Sequence, residues 1–353
     1  MKNKSKLPFQ LRASSPIARF ESGVAVVRNK MFVIGGHLEP DLIATKSTLA
    51  YDPKNDLWTS CQDAPVAISH VTAAVVDDRY IWLVGGFVGQ HPGYGIALSY
   101  RYDVDDDCWE SGPPLPQVRA SGCLALVGRY LHYCGGVGGD RHTNFDDHWI
   151  LNVDNPTQWE PQAPIPFGRT HAATSVIEDY IYAIGGHFGH DIPGHPGIIS
   201  PNPDLDYVHR FDPKADRWEE VAPLPRRRSH CEPGTFVYEG KIICIGGRNN
   251  SPNARSRYEK NLLAYYFRRA IGKMKRILES DSSAYQPWLD DVIAYDPKRD
   301  LWLDIGRLPQ TLYAPAASIV ERDIIVTNGG EQGWQNPSDK TFRLDMIGTL
   351  DKI

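Results

Sequence analysis

Residues Met31–Gly36 read MFVIGG, an apolar run closed by two glycines, and the chain returns to this cadence five more times. The copies are IWLVGG ending at Gly86, LHYCGG at Gly136, IYAIGG at Gly186, IICIGG at Gly247 and IVTNGG at Gly330. The first four pairs begin at Gly35, Gly85, Gly135 and Gly185, 50 residues apart, and the next two steps lengthen to 61 and 83. A fixed period of this size marks a repeat array, because one unit cannot bury its own apolar faces and must stack on a copy.

Each unit continues on a common plan. After the glycines come a variable loop, an aromatic–Asp turn and a Trp: YDPKNDLW (Tyr51 to Trp58), YDVDDDCW (Tyr102 to Trp109), FDPKADRW (Phe211 to Trp218) and YDPKRDLW (Tyr295 to Trp302). The third copy is looser, with Trp159 after LNVDNPTQ. Asp-Pro followed by polar residues suits a tight turn, since Pro presets φ and Asp bonds the backbone ahead. Between each Trp and the next Gly-Gly lies another apolar stretch with a hairpin signal such as VGRY, IEDY or YEGK. Each unit therefore offers four short strands.

Gly-Gly, Tyr-Asp-Pro and Trp in this order resemble the kelch repeat over nearly the whole chain. The resemblance implies an all-β fold: a six-bladed kelch β-propeller, each repeat a four-stranded blade around a central channel, with residues 1–353 forming one domain. The last repeat (Gly329 to Asp345) lacks a Trp strand, and the N-terminus is expected to supply it. Phe9 precedes Arg19 by ten residues, as Trp109 precedes Arg119, Trp159 precedes Arg169 and Trp218 precedes Arg228. An N-terminal strand closing the last blade leaves the ring no exposed edge there.

A formal net charge of −5 argues against a nucleic-acid binder driven by bulk charge. MKNKSKLPFQ has basic residues without an apolar core, which predicts no secretory signal and a cytoplasmic protein. No run approaches the roughly 20 apolar residues of a transmembrane helix. The six cysteines show no metal-type spacing. Cys123 and Cys134 are expected to face each other across the VGRY hairpin, a geometry open to a disulfide, with buried free thiols favoured in the absence of an export signal.

The fifth blade carries a long insertion, about residues 249–289, between its Gly-Gly and its Tyr-Asp-Pro. Within it Leu263, Phe267, Ile271, Met274 and Leu278 recur at helical spacing, with Arg268, Arg269, Lys273, Lys275 and Arg276 between them. This predicts a helical insertion that packs by its stripe on the propeller, caps the binding face or makes an oligomer contact.

In a four-stranded blade, the loop after strand 2 and the start of strand 1 open on one face. The residues after each Gly-Gly (His37, Phe87, Val137, His187, Arg248 and Glu331) should ring one mouth of the channel. The inner strands begin beside them with Arg19 and Glu21, His70, Arg119 and Ser121, Arg169 and His171, then Arg228, His230 and Glu232. His37, His70, Arg169, His171 and Arg228 are candidate ligand contacts, weighed against purely structural bonding between blade loops. Glu232 stands where other blades have Gly23, Thr72, Cys123, Ala173 and Ala316, so its carboxylate needs a partner. Arg228 is the nearest in sequence.

After the fourth pair, GGHFGHDIPGHPG spaces His187, Asp191 and His195 four apart. Two imidazoles and a carboxylate suit Fe(II) or Zn(II). The spacing resembles the iron motif of plant glucosinolate specifier proteins, with His187 where that family has Glu. A second resemblance is to bacterial sialic-acid mutarotases, which carry a helical insertion in one blade and Asn-Gly-Glu in the next. It implies Glu331 of NGGE as an acid/base residue, with Arg248 or His230 assisting and Trp334 stacking on a sugar face. The family's downstream Arg is replaced by EQGWQNP. Together these residues predict a small polar, sugar-like ligand on a His-rich face. The competing expectations are a peptide-binding module on that face and a metal-dependent lyase.

Overall fold

The computed structural model describes residues 6–189, 191–192, 195–199, 204–250, 287–331 and 336–346, with side chains described for all of these except 191–199. Among them lie six four-stranded antiparallel sheets, five of which run outward in chain order, while the sixth takes its outermost strand from the N-terminus. The innermost strands are Gly23–Val27, Thr72–Val76, Cys123–Val127, Ala173–Ile177, Thr235–Tyr238 and Ala316–Val320. Each touches the next, and the last touches the first, so they close a ring. This all-β arrangement is that of a β-propeller. The second strands, such as Lys30–Ile34, are buried from their second residue onward because sheets cover both faces. The expected cross-hairpin pair holds: Cys123 lies opposite Cys134, both buried free thiols.

Closure is made by the N-terminus. Gln10–Arg12 pairs with Thr341–Asp345 as the outermost strand of the sixth sheet, Leu11 opposite Phe342. Phe9, just outside that strand, packs with Leu7 against the core shared by the fifth and sixth sheets.

A repeated grip joins neighbouring sheets at the rim. The Asp two residues before Trp accepts the amide, and the Trp indole donates to the carbonyl, of a single residue on the preceding sheet. Ala13 is held by Asp56 (2.9 Å) and Trp58 (3.0 Å), Gln62 by Asp107 (2.7 Å) and Trp109 (3.0 Å). Ala163 is held by Asp216 and Trp218, Ala222 by Asp300 and Trp302. The looser third repeat has Thr157 in place of the Asp, and Trp159 grips the carbonyl of Pro113, which has no N–H to satisfy. The departure in one repeat thus matches a departure in its neighbour.

In the first repeat the Gly-Gly turn leaves no room for a side chain. Gly35 and Gly36 have φ of 66° and 98°, and a Cβ on either would come within 2.3 Å of Ile68 O or Ser22 Oγ. The amide of Gly36 bonds Ile68 O, and that of His37 bonds Phe20 O. In the sixth repeat the equivalent donors are Gly329 to Arg19 O and Gly330 to Tyr313 O. Asn328, at φ 56°, therefore takes the place of the first glycine. The expected alignment of NGGE is displaced by one residue, and Gly330 rather than Glu331 completes the post-glycine ring. Of the predicted insertion, residues 251–286 lie outside the described residues, including the helical stripe Leu263, Phe267, Ile271, Met274 and Leu278.

Candidate functional site

Two residues ahead of each inner strand, or in the fifth sheet two ahead of the 3-10 turn that precedes it, the backbone turns left-handed at Glu21, His70, Ser121, His171, His230 and Ala314, with φ between 45° and 57°. They are linked in two runs around the channel: His70 N bonds Glu21 O, Ser121 N bonds His70 O and His171 N bonds Ser121 O in one, and Ala314 N bonds His230 O in the other, all at 3.0–3.1 Å. The preceding residues bridge to the post-glycine positions His37, Val137, His187, Arg248 and Gly330, and Ser69 pairs with Phe87. Two concentric rings of backbone thus deliver side chains to one mouth. The scaffold is common to all repeats; the side chains are not.

On one side, Glu21 Oε2 lies 3.0 Å from His70 Nε2 and 3.4 Å from His37 Nδ1. Its Oε1 accepts the Tyr313 hydroxyl at 2.6 Å. Ser69 Oγ lies 2.9 Å from both His37 Nε2 and His70 Nδ1. On the other side the rings of His171, His187 and His230 form a stack, with centroids 3.8–5.2 Å apart and planes within 22°. Asp204 organises that side: it accepts Arg248 Nη2 at 2.8 Å and the Ser229 hydroxyl at 2.6 Å. Ser229 Oγ, its hydrogen engaged by Asp204, accepts His230 Nδ1–H at 2.7 Å. His187 Nδ1 donates to Gly189 O at 2.9 Å. Arg141 lies buried over Phe87, 4.1 Å from the ring centroid, and donates to Pro92 O.

Glu232 starts a short 3-10 turn, Glu232–Gly234, that replaces the first residues of the fifth inner strand. Its partner is His171, with Oε1 2.6 Å from Nδ1. The expected partner, Arg228, instead binds Asp291 and the carbonyl of Gly246. Glu232 Oε2 has no hydrogen-bond partner and lines a cavity of about 80 Å³ enclosed by the inner strands, with Ser22, Thr72, Leu124, Thr174 and Ser318.

Burial controls the electrostatics. It pushes His70 and His171 down to about 3, and His187 and His230 well below the ordinary imidazole range, with Arg248 reinforcing the last two. Burial, with the Glu21 charge adding to it, raises Glu232 to about 7. Burial would raise Glu21 too, but contacts from His70 and His37 hold it well below the usual carboxylate range. The mouth therefore pairs a charged carboxylate with a second one that titrates near pH 7, beside the imidazoles of His70, His171, His187 and His230, which burial keeps neutral.

Of the predicted residues, His37, His70, His171, His187, His230, Glu232 and Arg248 converge here. Arg169 and Arg228 are fully buried between strands: Arg169 binds Ala183 O and His209 Nδ1. Glu331 is half-buried beside the mouth, bonded to Ser338 and Lys340, whose contacts outweigh burial and lower its pKa. Asp191 lies in the strand Asp191–Ile192, which pairs with His195–Ile199, and the side chains of Asp191 and His195 are outside the described residues. Trp334 lies outside them as well. Asp204, Tyr313, Ser69 and Ser229 carry no motif that singles them out. Only the pairing of blades reveals them.

The Kelch motif model matches residues 18–65 and 168–225. The chain is 25% identical over 253 residues to a Kelch repeat-containing protein of Arabidopsis thaliana, covering 69% of this chain and 58% of that one. It is 26% identical over 242 residues to Kelch-like protein 35 of Mus musculus (67% and 36%), and 23% identical over 254 residues to N-acetylneuraminate epimerase of Pasteurella multocida (68% and 59%). The chain spans roughly a third to three-fifths of the length of these curated relatives. Among solved structures, that of YjhT aligns with a TM-score of 0.69 at 14% identity, over 94% of this chain and 95% of that one. At that identity the likeness speaks to fold alone. Among the described residues no helix is long and apolar enough to cross a membrane.

Proposed function

Taking as premise that this chain is a kelch-repeat protein, we propose that its six sheets are six propeller blades whose His-rich mouth binds a small, polar, sugar-like ligand and moves a proton on it, in the manner of an epimerase or mutarotase. The observation that carries this is Glu232, a carboxyl whose side chain is 7% exposed, with one oxygen on His171 and the other without a partner, poised near pH 7. A group that holds and releases a proton at working pH is what ring opening at an anomeric centre requires. In this reading His171 relays the proton between Glu232 and the mouth, and Arg248, fixed by Asp204, offers a cation to a ligand oxygen. The likeness to an N-acetylneuraminate epimerase makes acylated amino sugars and sialic acids the first ligands to try. The cavity of about 80 Å³ is far below the ~300 Å³ of small-ligand pockets, so the sugar would sit on the loop side of the imidazoles.

A second reading is peptide binding on the same face, favoured by the exposed Tyr94, Ile43 and Val118 on the surrounding loops and by the Kelch-like relatives. Anomer exchange of N-acetylneuraminate and of hexoses, followed by proton NMR with and without protein, separates the two. Acceleration by wild type, with a loss of 100-fold or more in a Glu232→Gln variant that remains folded at the assay temperature, supports the first. Neither exchange nor a ligand-induced thermal shift across the sugar panel would remove it.

A further inference from the structure

The donors around Glu21 do not close. Ser69 Oγ carries one hydrogen and lies 2.9 Å from a ring nitrogen of both His37 and His70. The opposite nitrogens, His37 Nδ1 and His70 Nε2, both face the same carboxylate oxygen, Glu21 Oε2, at 3.4 and 3.0 Å. If the Ser69 hydroxyl donates to His70 Nδ1, His70 Nε2–H can turn to Glu21. Then His37 must donate through Nε2, and its Nδ1 lone pair faces the carboxylate. If Ser69 donates to His37, the conflict moves to His70. Whichever way Ser69 donates, one near nitrogen presents a lone pair to Glu21 Oε2 unless a positive charge, a proton or a metal ion, stands between them.

A metal cation among Oε2, Nδ1 and Nε2 removes the conflict by a third arrangement: both rings carry their hydrogen on the far nitrogen and donate it to Ser69 Oγ, which leaves both near lone pairs for the ion. The surroundings are those of ligands already oriented: Tyr313 holds the other carboxylate oxygen, and Ser69 holds the far nitrogen of each ring. The planes of His37 and His70 lie 73° apart, so their in-plane lone pairs can meet at one point. Ring stacking makes the opposite trio, His171, His187 and His230, a poorer set, because near-parallel planes aim their lone pairs side by side. Both trios have potential ligand atoms within 4.8 Å of one another, and only the first also crosses its planes.

We propose that Glu21, His37 and His70 form a binding site for a divalent first-row transition ion, a two-histidine, one-carboxylate set that suits Zn(II), Mn(II) or Fe(II). It is distinct from the trio predicted in the loop after Gly186 and requires nothing of the proposed sugar chemistry. Its open positions face the mouth, where His230 Nε2 lies 3.7 Å from Glu21 Oε1.

The test is metal content by mass spectrometry of the full chain, stripped with chelator and then reloaded with Zn(II) or Co(II). Close to one ion per chain, a visible Co(II) ligand-field spectrum, and a melting temperature that rises on reloading are expected. Glu21→Gln and His70→Ala should lose the ion and the Co(II) spectrum, and His187→Ala should keep both. Because those variants could fail to fold, Ser69→Ala provides a milder arm: it retains both histidines and should weaken affinity roughly 10–100-fold. No ion bound by reloaded wild type, or an ion lost in His187→Ala and kept in Glu21→Gln, overturns the assignment.

Discussion

The outer rim and the central mouth are built by the same repeats yet treat them oppositely. At the rim, four of the six repeats place the same Asp and Trp on the same atoms of the preceding sheet, with bonds that agree to within 0.2 Å. At the mouth, the backbone is just as regular, with six left-handed residues in equivalent places. Their side chains are Glu, His, Ser, His, His and Ala. Where the repeat is conserved within the chain, it joins sheets; where it diverges on a fixed backbone, it makes a site. Buried imidazoles and carboxylates are costly to assemble, and the rim's stitching holds the sheets that carry them.

The largest expected effect tests the stitching. Removing residues 1–14 deletes the outer strand of the sixth sheet and Ala13, the residue gripped by Asp56 and Trp58. The first and last sheets then lose their rim contact, and the whole ring should lose cooperative unfolding rather than fray at one end. An unchanged thermal midpoint for the truncated chain would show that closure does not depend on this strand.

Next comes acid. Burial pushes His132 and His209 to about 3 and His148 to about 4, besides the four imidazoles of the mouth. These groups are neutral when folded and take up protons near pH 6.5 when unfolded, so the unfolded state binds more protons below that pH. Stability should be full above about pH 6.5 and fall steadily toward pH 4. Each group contributes at most ~1.4 kcal/mol per pH unit. Several acting together rival the ~5–15 kcal/mol of a typical domain. Denaturant midpoints at pH 7.5, 6 and 5 measure the slope, and a flat profile would mean that these rings are hydrated.

Glu232 should work in the opposite direction. Its folded pKa, about 7, lies above the ordinary carboxylate value, so it stabilises at low pH and loses that contribution as pH rises through 7. Glu232→Gln should therefore be more stable than wild type at pH 8.5, by on the order of 2 kcal/mol, and the gap should shrink at pH 5.5. Equal gaps at both pH values would place the titration elsewhere.

Much of this organisation is legible in the chain. The period of the Gly-Gly pairs, the Tyr-Asp-Pro turns and the offset from Phe9 to Arg19 give the sheets and their closure, because each reports a local backbone demand. The convergence of His37, His70, His171, His187 and His230 follows from the same register. What stays hidden depends on pairing between repeats. Glu232 sits four residues from Arg228, but the two leave the backbone in different directions, and its partner lies 61 residues away in the preceding sheet. Asp204 follows a variable loop with no motif around it. Glu331 was misaligned because Asn328 can adopt the left-handed backbone of a glycine, so NGG reads as a Gly-Gly pair one step late.

The smallest effect is the sharpest test of how the rim is coded. Asp56→Ala removes the acceptor of both Ala13 N and the Tyr51 hydroxyl and leaves two part-buried donors unmet, which should cost about 1–3 kcal/mol. Trp58→Phe removes the donor to Ala13 O and part of a ring packed on Tyr51, and should cost about 1–2 kcal/mol. In the third repeat the reverse change, Thr157→Asp, restores the consensus residue but faces Pro113, which has no N–H to offer. If the Asp of each repeat acts by capping that amide, Thr157→Asp should gain nothing, within about 0.5 kcal/mol. Pairing it with Pro113→Ala, which supplies the missing donor, should recover stability relative to Pro113→Ala alone. A gain from Thr157→Asp by itself would mean that the Asp serves its own turn rather than the neighbouring sheet.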